Sequence, residues 1–219
     1  PNQNGDGAMN NGFYYVNAIP AIYPVYLRDG EGNIAIDPRT GGPAYDYGDA
    51  DLEGNSIGRS FGMGINPAGE LLVDKERQVQ HSLDAKASFE FKFYKDLKLI
   101  INVGTHYFNN LYSDLTNKWY GDAAGLGRIY QQSMNLFTLS AQQLLEYNKT
   151  IGDHSIRAIA GHETYMYTQS YISGYKSNLA DGESLELGNA VQMQSIEGNT
   201  GRFTMDSYLA SATYMYGER

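Results

Sequence analysis

The sequence predicts an all-β chain that forms one arc of a large antiparallel transmembrane β-barrel. Three observations carry this. Side-chain polarity alternates with a period of two over long runs, which is the signature of a strand with two unlike faces. The connections between runs alternate between tight turns and long segments rich in Gly, Asn and Asp, an asymmetry typical of outer-membrane barrels. The composition holds 19 Tyr and 25 Gly beside one Trp and six Pro. Tyrosine favours strands and membrane–water interfaces, because its ring is apolar while its hydroxyl needs a wet partner. A secreted β-sandwich that binds carbohydrate shares that composition, so strand length has to separate the two. Soluble strands average about 5–6 residues, whereas a barrel strand needs about 9–11 tilted residues to cross a bilayer. The run Val79–Phe93 exceeds both.

Taken in order, Phe13–Ile19 reads as the end of a first strand, followed by a long loop over about 20–78. Val79, His81, Leu83, Ala85, Ala87, Phe89, Phe91 and Phe93 then alternate with Gln80, Ser82, Asp84, Lys86, Ser88, Glu90 and Lys92. Tyr94-Lys95-Asp96 makes a tight turn into Leu97, Leu99, Ile101, Val103 and Thr105, so the two runs form a hairpin. A loop is expected over about 117–135, then a strand from Leu136 to Ile151 and the turn Gly152-Asp153-His154. Ser155 to about Ser173 returns, a loop covers about 176–201, and Arg202–Tyr216 is the last strand. The short turns are expected on the periplasmic side, and the loops around Asp46, Trp119 and Gly182 on the extracellular side. These six passes fall short of the smallest usual barrel of about eight strands. An open sheet in lipid leaves edge N–H and C=O groups unsatisfied at several kcal/mol each. Residues 1–219 are therefore expected to be a partial barrel domain whose terminal strands pair with other barrel segments or chains.

Charge and composition narrow the function. The 219 residues carry 16 Lys+Arg against 25 Asp+Glu, a net charge of −9, which argues against nucleic acid. Mean hydropathy is −0.46, and no apolar run approaches the ~20 residues of a membrane helix. The absence of cysteine removes disulfides and thiolate metal sites. No charged region followed by an apolar stretch opens the sequence, so no signal peptide is expected within it.

Several short segments together resemble one family. They are Tyr23-Pro24-Val25-Tyr26 followed by Asp29-Gly30, Tyr45-Asp46-Tyr47-Gly48, and Ile65-Asn66-Pro67-Ala68-Gly69. Asp96-Leu97-Lys98-Leu99, Tyr120-Gly121-Asp122-Ala123-Ala124-Gly125, Ala160-Gly161-His162-Glu163 and the terminal Tyr214-Met215-Tyr216-Gly217-Glu218-Arg219 complete the set. In order and spacing they resemble the middle of the barrel in the SusC/RagA family of TonB-linked outer-membrane transporters of the Bacteroidetes. Ser211 departs from the pattern, where that family is expected to carry arginine. The resemblance implies a barrel of about 22 strands around a plug, a SusD-like surface lipoprotein as lid, and energy from the TonB complex acting through the plug. It also implies import of nutrient oligomers, glycans or peptides, and no enzymatic activity. Neither a plug nor a TonB box is found in these residues.

The chemistry-bearing residues give little support to an enzyme. His81, His106, His154 and His162 form no metal-binding pair, and neither metal nor cofactor is expected. Asp46, Asp49, Asp51 and Glu53, like Asp29 and Glu31, have loose calcium-loop spacing, but Asp, Asn and Gly are the ordinary residues of turns. No phosphate loop and no nucleophile elbow occur. The remaining candidates are loop aromatics with polar neighbours, since aromatic faces stack on sugars and peptides while polar groups orient them. Trp119, Tyr120, Asp46 and Tyr47 are the candidate contacts to substrate or lid; packing of the loops against one another is the competing role for the aromatics.

Overall fold

The computed structural model describes residues 23–217. A short helix, α1 (Pro67–Val73), precedes five strands: β1 (Lys75–Tyr94), β2 (Leu97–Thr116), β3 (Arg128–Ile151), β4 (His154–Leu179) and β5 (Ala190–Tyr216). They form one antiparallel sheet in the order β1-β2-β3-β4-β5. The two-residue turns at 95–96 and 152–153 dictate the β1–β2 and β3–β4 pairings, because each strand must fold back on its predecessor. The chain is thus all-β and open, as an arc of a barrel must be. Among the described residues, β1 and β5 each keep one edge with no strand beside it. The expected pass at Phe13–Ile19 lies outside the described residues.

The strands are longer than the alternation indicated, at 20, 20, 24, 26 and 27 residues. The loops expected over 117–135 and 176–201 shrink accordingly to 117–127 and 180–189. In Arg128–Asn135, Gln131, Gln132 and Ser133 put polar groups on both faces, which erases the period of two without weakening the ladder. In Ala190–Gly201, Gly198 reads as a turn residue but lies inside β5. A Cβ there would come 3.1 Å from the carbonyl oxygen of Tyr171 on β4, so the glycine permits close strand approach.

The chain divides into two compact units. One comprises 78–111, 132–173 and 197–217, the long sheet with its short turns. Hydrogen bonds across strands define its polar face: Ser88 donates to Asn102, Asn102 to Gln142, and Gln142 reaches Glu163 at 3.5 Å. Asp84 meets His106 on this face, and Lys98 pairs with Glu146 at 3.1 Å and Glu90 at 3.9 Å. Side chains of the other parity in β1 point the opposite way, including Leu83, Phe89, Phe91 and Phe93, all exposed. A row of exposed phenylalanines is more apolar surface than a water-facing sheet carries singly. The turn between β1 and β2 is tied to β3 by Asn148 N–H donating to the Asp96 carbonyl at 2.9 Å.

The other unit comprises 23–77, 112–131 and 174–196. Its apolar core is small: Leu115, Ile129, Leu179 and Ala190, with Leu185 and Leu187 packed against it. So small a cluster contributes only part of the cohesion, and the remainder comes from a polar and aromatic network.

Candidate functional site

Within this second unit, residues 25–46 fold back on themselves twice through antiparallel bridges Tyr26 to Tyr45, Arg28 to Ile34, and Ile36 to Pro43. The reversal at Asp29 is an Asx-type turn, in which the Asp29 carboxylate accepts the N–H groups of Glu31 and Asn33. Asp51 repeats the arrangement with Glu53 and Asn55. In both, these backbone and Asn side-chain hydrogen bonds hold the carboxyl below its usual range. The acidic clusters seen in the sequence therefore serve turn formation here, and no group of three His, Asp or Glu able to hold a metal occurs among the described residues.

The folded-back segment places Asp37 at full burial. Its carboxylate receives the Arg39 Nε and Nη2 groups at 2.9 and 2.7 Å, and the Tyr120 hydroxyl donates to it. Burial alone would raise this carboxyl, but the hydrogen bonds from Arg39 and Tyr120 outweigh it and bring it down to about 2. Tyr120 stacks face to face on Tyr47, with centroids 5.3 Å apart, and meets Tyr45 edge-on at 5.5 Å. Burial, followed by the hydrogen bond to Asp37, pushes the Tyr120 phenol up to about 12, and burial pushes Tyr47 up as well.

Two asparagines bracket this aromatic stack. Asn117 donates its backbone N–H and side-chain N–H to Asp74 at 2.8 and 2.7 Å. Its Oδ1 accepts from the N–H groups of Trp119 and Tyr120 at 2.8 and 2.7 Å. Asn66 caps α1 by accepting from Gly69 N–H at 2.9 Å, while its Nδ2 donates to the carbonyls of Val25 and Asp46. Asn66 before Pro67 is legible as a helix cap, but the distant partners of the two asparagines lie 41, 20 and 43 residues away in the chain, so no local pattern reveals those contacts.

The four candidate contacts are gathered in one unit but are not equally placed. Asp46, Tyr47 and Tyr120 are buried at 7%, 2% and 7% exposure. Asp46 accepts from Gly48 N–H at 2.7 Å and faces Arg59 at 3.9 Å. These three hold the loops together. Trp119 is half-buried, with Lys118 Nζ 4.7 Å and the Arg39 guanidinium 5.8 Å from its ring. Gly182 lies against its edge, where a Cβ would approach Nε1 to 2.8 Å. Of the four, Trp119 is the one that keeps a surface open.

Beside this network, Glu70 lies in the first turn of α1 and Asp74 caps its C-terminal end. Burial, then the charges of Asp74 and Asp122, raise Glu70 to about 7, and Arg128 only partly offsets them. Burial also raises Asp74, against the hydrogen bonds from Asn117. The Tyr47 hydroxyl is buried without a hydrogen-bond partner among the described residues.

No family model matches this sequence, and no curated protein matches it. Solved structures do. The chain is similar to the RagAB peptide transporter, with a TM-score of 0.65 at 16% identity over 70% of this chain and 18% of the other. It is likewise similar to the RagAB peptide importer in its closed-closed state, with a TM-score of 0.66 at 16% identity, covering 81% of this chain and 19% of the other. In the open-open state the corresponding figures are 0.66 and 15%, with 81% and 20% covered. At such identities the likeness shows the fold, an arc of a β-barrel. This chain spans about a fifth of the length of the chains it matches.

Proposed function

We propose that this chain is part of the barrel of a TonB-dependent outer-membrane transporter of the SusC/RagA kind, importing glycan or peptide oligomers. The observation that carries the reading is the open five-stranded sheet with unlike faces and, among the described residues, an outer edge at both β1 and β5. A water-soluble domain would cover the apolar face and close or blunt its edges. In a barrel the same face meets lipid, the polar face lines the lumen, and neighbouring strands complete both edges. A β-sandwich needs a second sheet packed on the first, and the described residues form one sheet. The likeness in fold to a peptide transporter supports the reading, as do the sequence segments resembling the family.

On this reading the unit containing 23–77 lies outside the membrane, where a SusD-like lipoprotein would close over it, and Trp119 offers the open aromatic surface for lid or substrate. The remainder of the barrel, the plug and the TonB complex supply gating and energy. The test is deletion of the whole gene in its host, followed by growth and uptake on defined peptide and glycan oligomers. Uptake that is lost on deletion and equally lost without TonB supports the proposal. Uptake unaffected by either deletion contradicts it.

A further inference from the structure

Along β5 the two faces exchange character. Thr164 donates to Asp206 and His162 stacks on Tyr208, so these residues share the face opposite Glu163, with Thr204 and Arg202 following by alternation. Phe203, Met205 and Leu209 therefore stand on the face that carries Ser88, Asn102, Gln142 and Glu163, and all three are exposed. Tyr165 and Tyr167 of β4 follow Glu163 on this inner face. Leu144 and Leu209 converge there on Gly161, where a Cβ would come 2.6 and 3.1 Å from them. A further strand beside β5 would pair with its edge and leave these side chains standing off the sheet. The inner face of β4 and β5 thus holds an apolar and aromatic strip, while the same face of β1 and β2 is polar.

Beside the strip lies a shallow pocket of about 370 Å³, lined by Lys86, Ser88, Asn102, Ser140, Gln142 and Glu163. Gly104 keeps its wall low, since a Cβ there would come 3.0 Å from Ser140 Oγ. Neighbouring carboxylates are engaged elsewhere, Glu90 and Glu146 by Lys98 and Asp84 by His106. Among the described residues, Lys86 and Glu163 are left without an ion-pair partner, and Glu163 receives the Gln142 amide at 3.5 Å. Free charges of both signs beside an apolar strip suit a ligand that carries charges and apolar groups along one chain. The geometry points to a peptide subsite on this wall, an inference that rests on the transporter reading above. A peptide amino group sits at Glu163, carbonyl oxygens face Lys86, and an apolar side chain lies on Tyr165, Met205 and Leu209. Asn102 and Gln142 keep spare amide donors and lone pairs for the peptide backbone. A neutral sugar oligomer brings neither charge, and Leu144, Met205 and Leu209 give its hydroxyls no hydrogen-bonding partner.

The test follows uptake by the host carrying the whole transporter, corrected for a strain in which the gene is deleted. The probes are a tryptic digest of casein, the same digest with its amino groups acetylated, and a mixture of maltooligosaccharides, each read by mass spectrometry of what the cells deplete. The unmodified digest should be depleted several-fold faster than the acetylated one. Glu163→Gln should abolish that preference and leave the acetylated digest at its former rate. Met205→Ser should slow leucine- and phenylalanine-rich peptides several-fold relative to serine-rich ones. Both variants are compared at equal amounts of protein in the outer membrane. Slowing of every peptide alike, or an unchanged preference in both variants, overturns the subsite while leaving the transporter reading intact. Gene-dependent depletion of the maltooligosaccharides alone overturns the peptide as the ligand. If depletion of all three probes is the same with and without the gene, the transporter reading fails and the inference with it.

Discussion

Tyr120→Phe removes one oxygen from the loop unit and leaves the aromatic stack on Tyr47 in place. The lost group is the hydroxyl that donates to the buried Asp37 carboxylate. A hydrogen bond to a charged group contributes about 1.5–3 kcal/mol. Because Arg39 still holds both carboxylate oxygens, a loss of about 2 kcal/mol is expected, equivalent to roughly 30-fold in a local opening equilibrium. The amides that report it are Gly41, which donates to the Asp37 carbonyl at 2.8 Å, and Ala44, which donates to Ala35 at 2.9 Å. Hydrogen exchange on the whole purified protein should show both accelerated, while Asn148 at the β1–β2 turn is unchanged. The sign with pH follows from the depressed Asp37 carboxyl. Its contribution is present above the ordinary value of 3.8 and is lost as pH falls through about 2. Unchanged exchange at Gly41 and Ala44 in Tyr120→Phe would refute the idea that this carboxylate anchors the loop.

Glu70 runs the other way. Its raised carboxyl is accommodated neutral, so its contribution is full below the ordinary 4.5 and is lost as pH rises through about 7. Glu70→Gln should therefore protect α1 amides at pH 8 by on the order of 1–3 kcal/mol and flatten the dependence between pH 5 and 8; an unaltered pH profile of exchange would contradict this. Phe91→Arg on the apolar face should cost about 2–4 kcal/mol in an unfolding titration from lipid vesicles, and Glu90→Gln on the polar face much less. Comparable losses for the two would mean that the faces are misassigned. Protease applied to intact cells should cut within 23–66 or 180–189 before the turns at Lys95–Asp96 and Gly152–Asp153; the reverse order would invert the orientation.

Much of the sheet is legible in the sequence because burial of one kind on each face enforces a period of two. In Val79–Phe93 the two parities differ in polarity at every position except His81, and each falls on its own face. Legibility fails where both faces are polar, as at Gln131–Ser133, and where a glycine serves close packing within a strand, as at Gly198. The loop unit is less readable for a different reason. Tyr47 and Tyr120 look like surface aromatics until Asp37, Arg39 and Asn117 are brought in from distant parts of the chain. Burial of the Tyr120 hydroxyl is tolerated only because Asp37 accepts from it, and no spacing rule predicts that pairing. Trp119 stays half-buried beside the cationic ends of Lys118, which donates to the Leu179 and Ala180 carbonyls, and of Arg39, which is held by Asp37.

The central claim is that β1 and β5 are interior strands of a larger wall. A structure of the whole protein, extracted from the outer membrane in detergent, tests it most directly through the backbone at the two outer edges, along Lys75–Tyr94 and Ala190–Tyr216. The account predicts continuous antiparallel ladders from both edges to strands outside 75–216, with Phe89, Phe91 and Phe93 facing the detergent belt. Edges open to water, or a sheet closed on itself as a self-sufficient soluble domain, would contradict it.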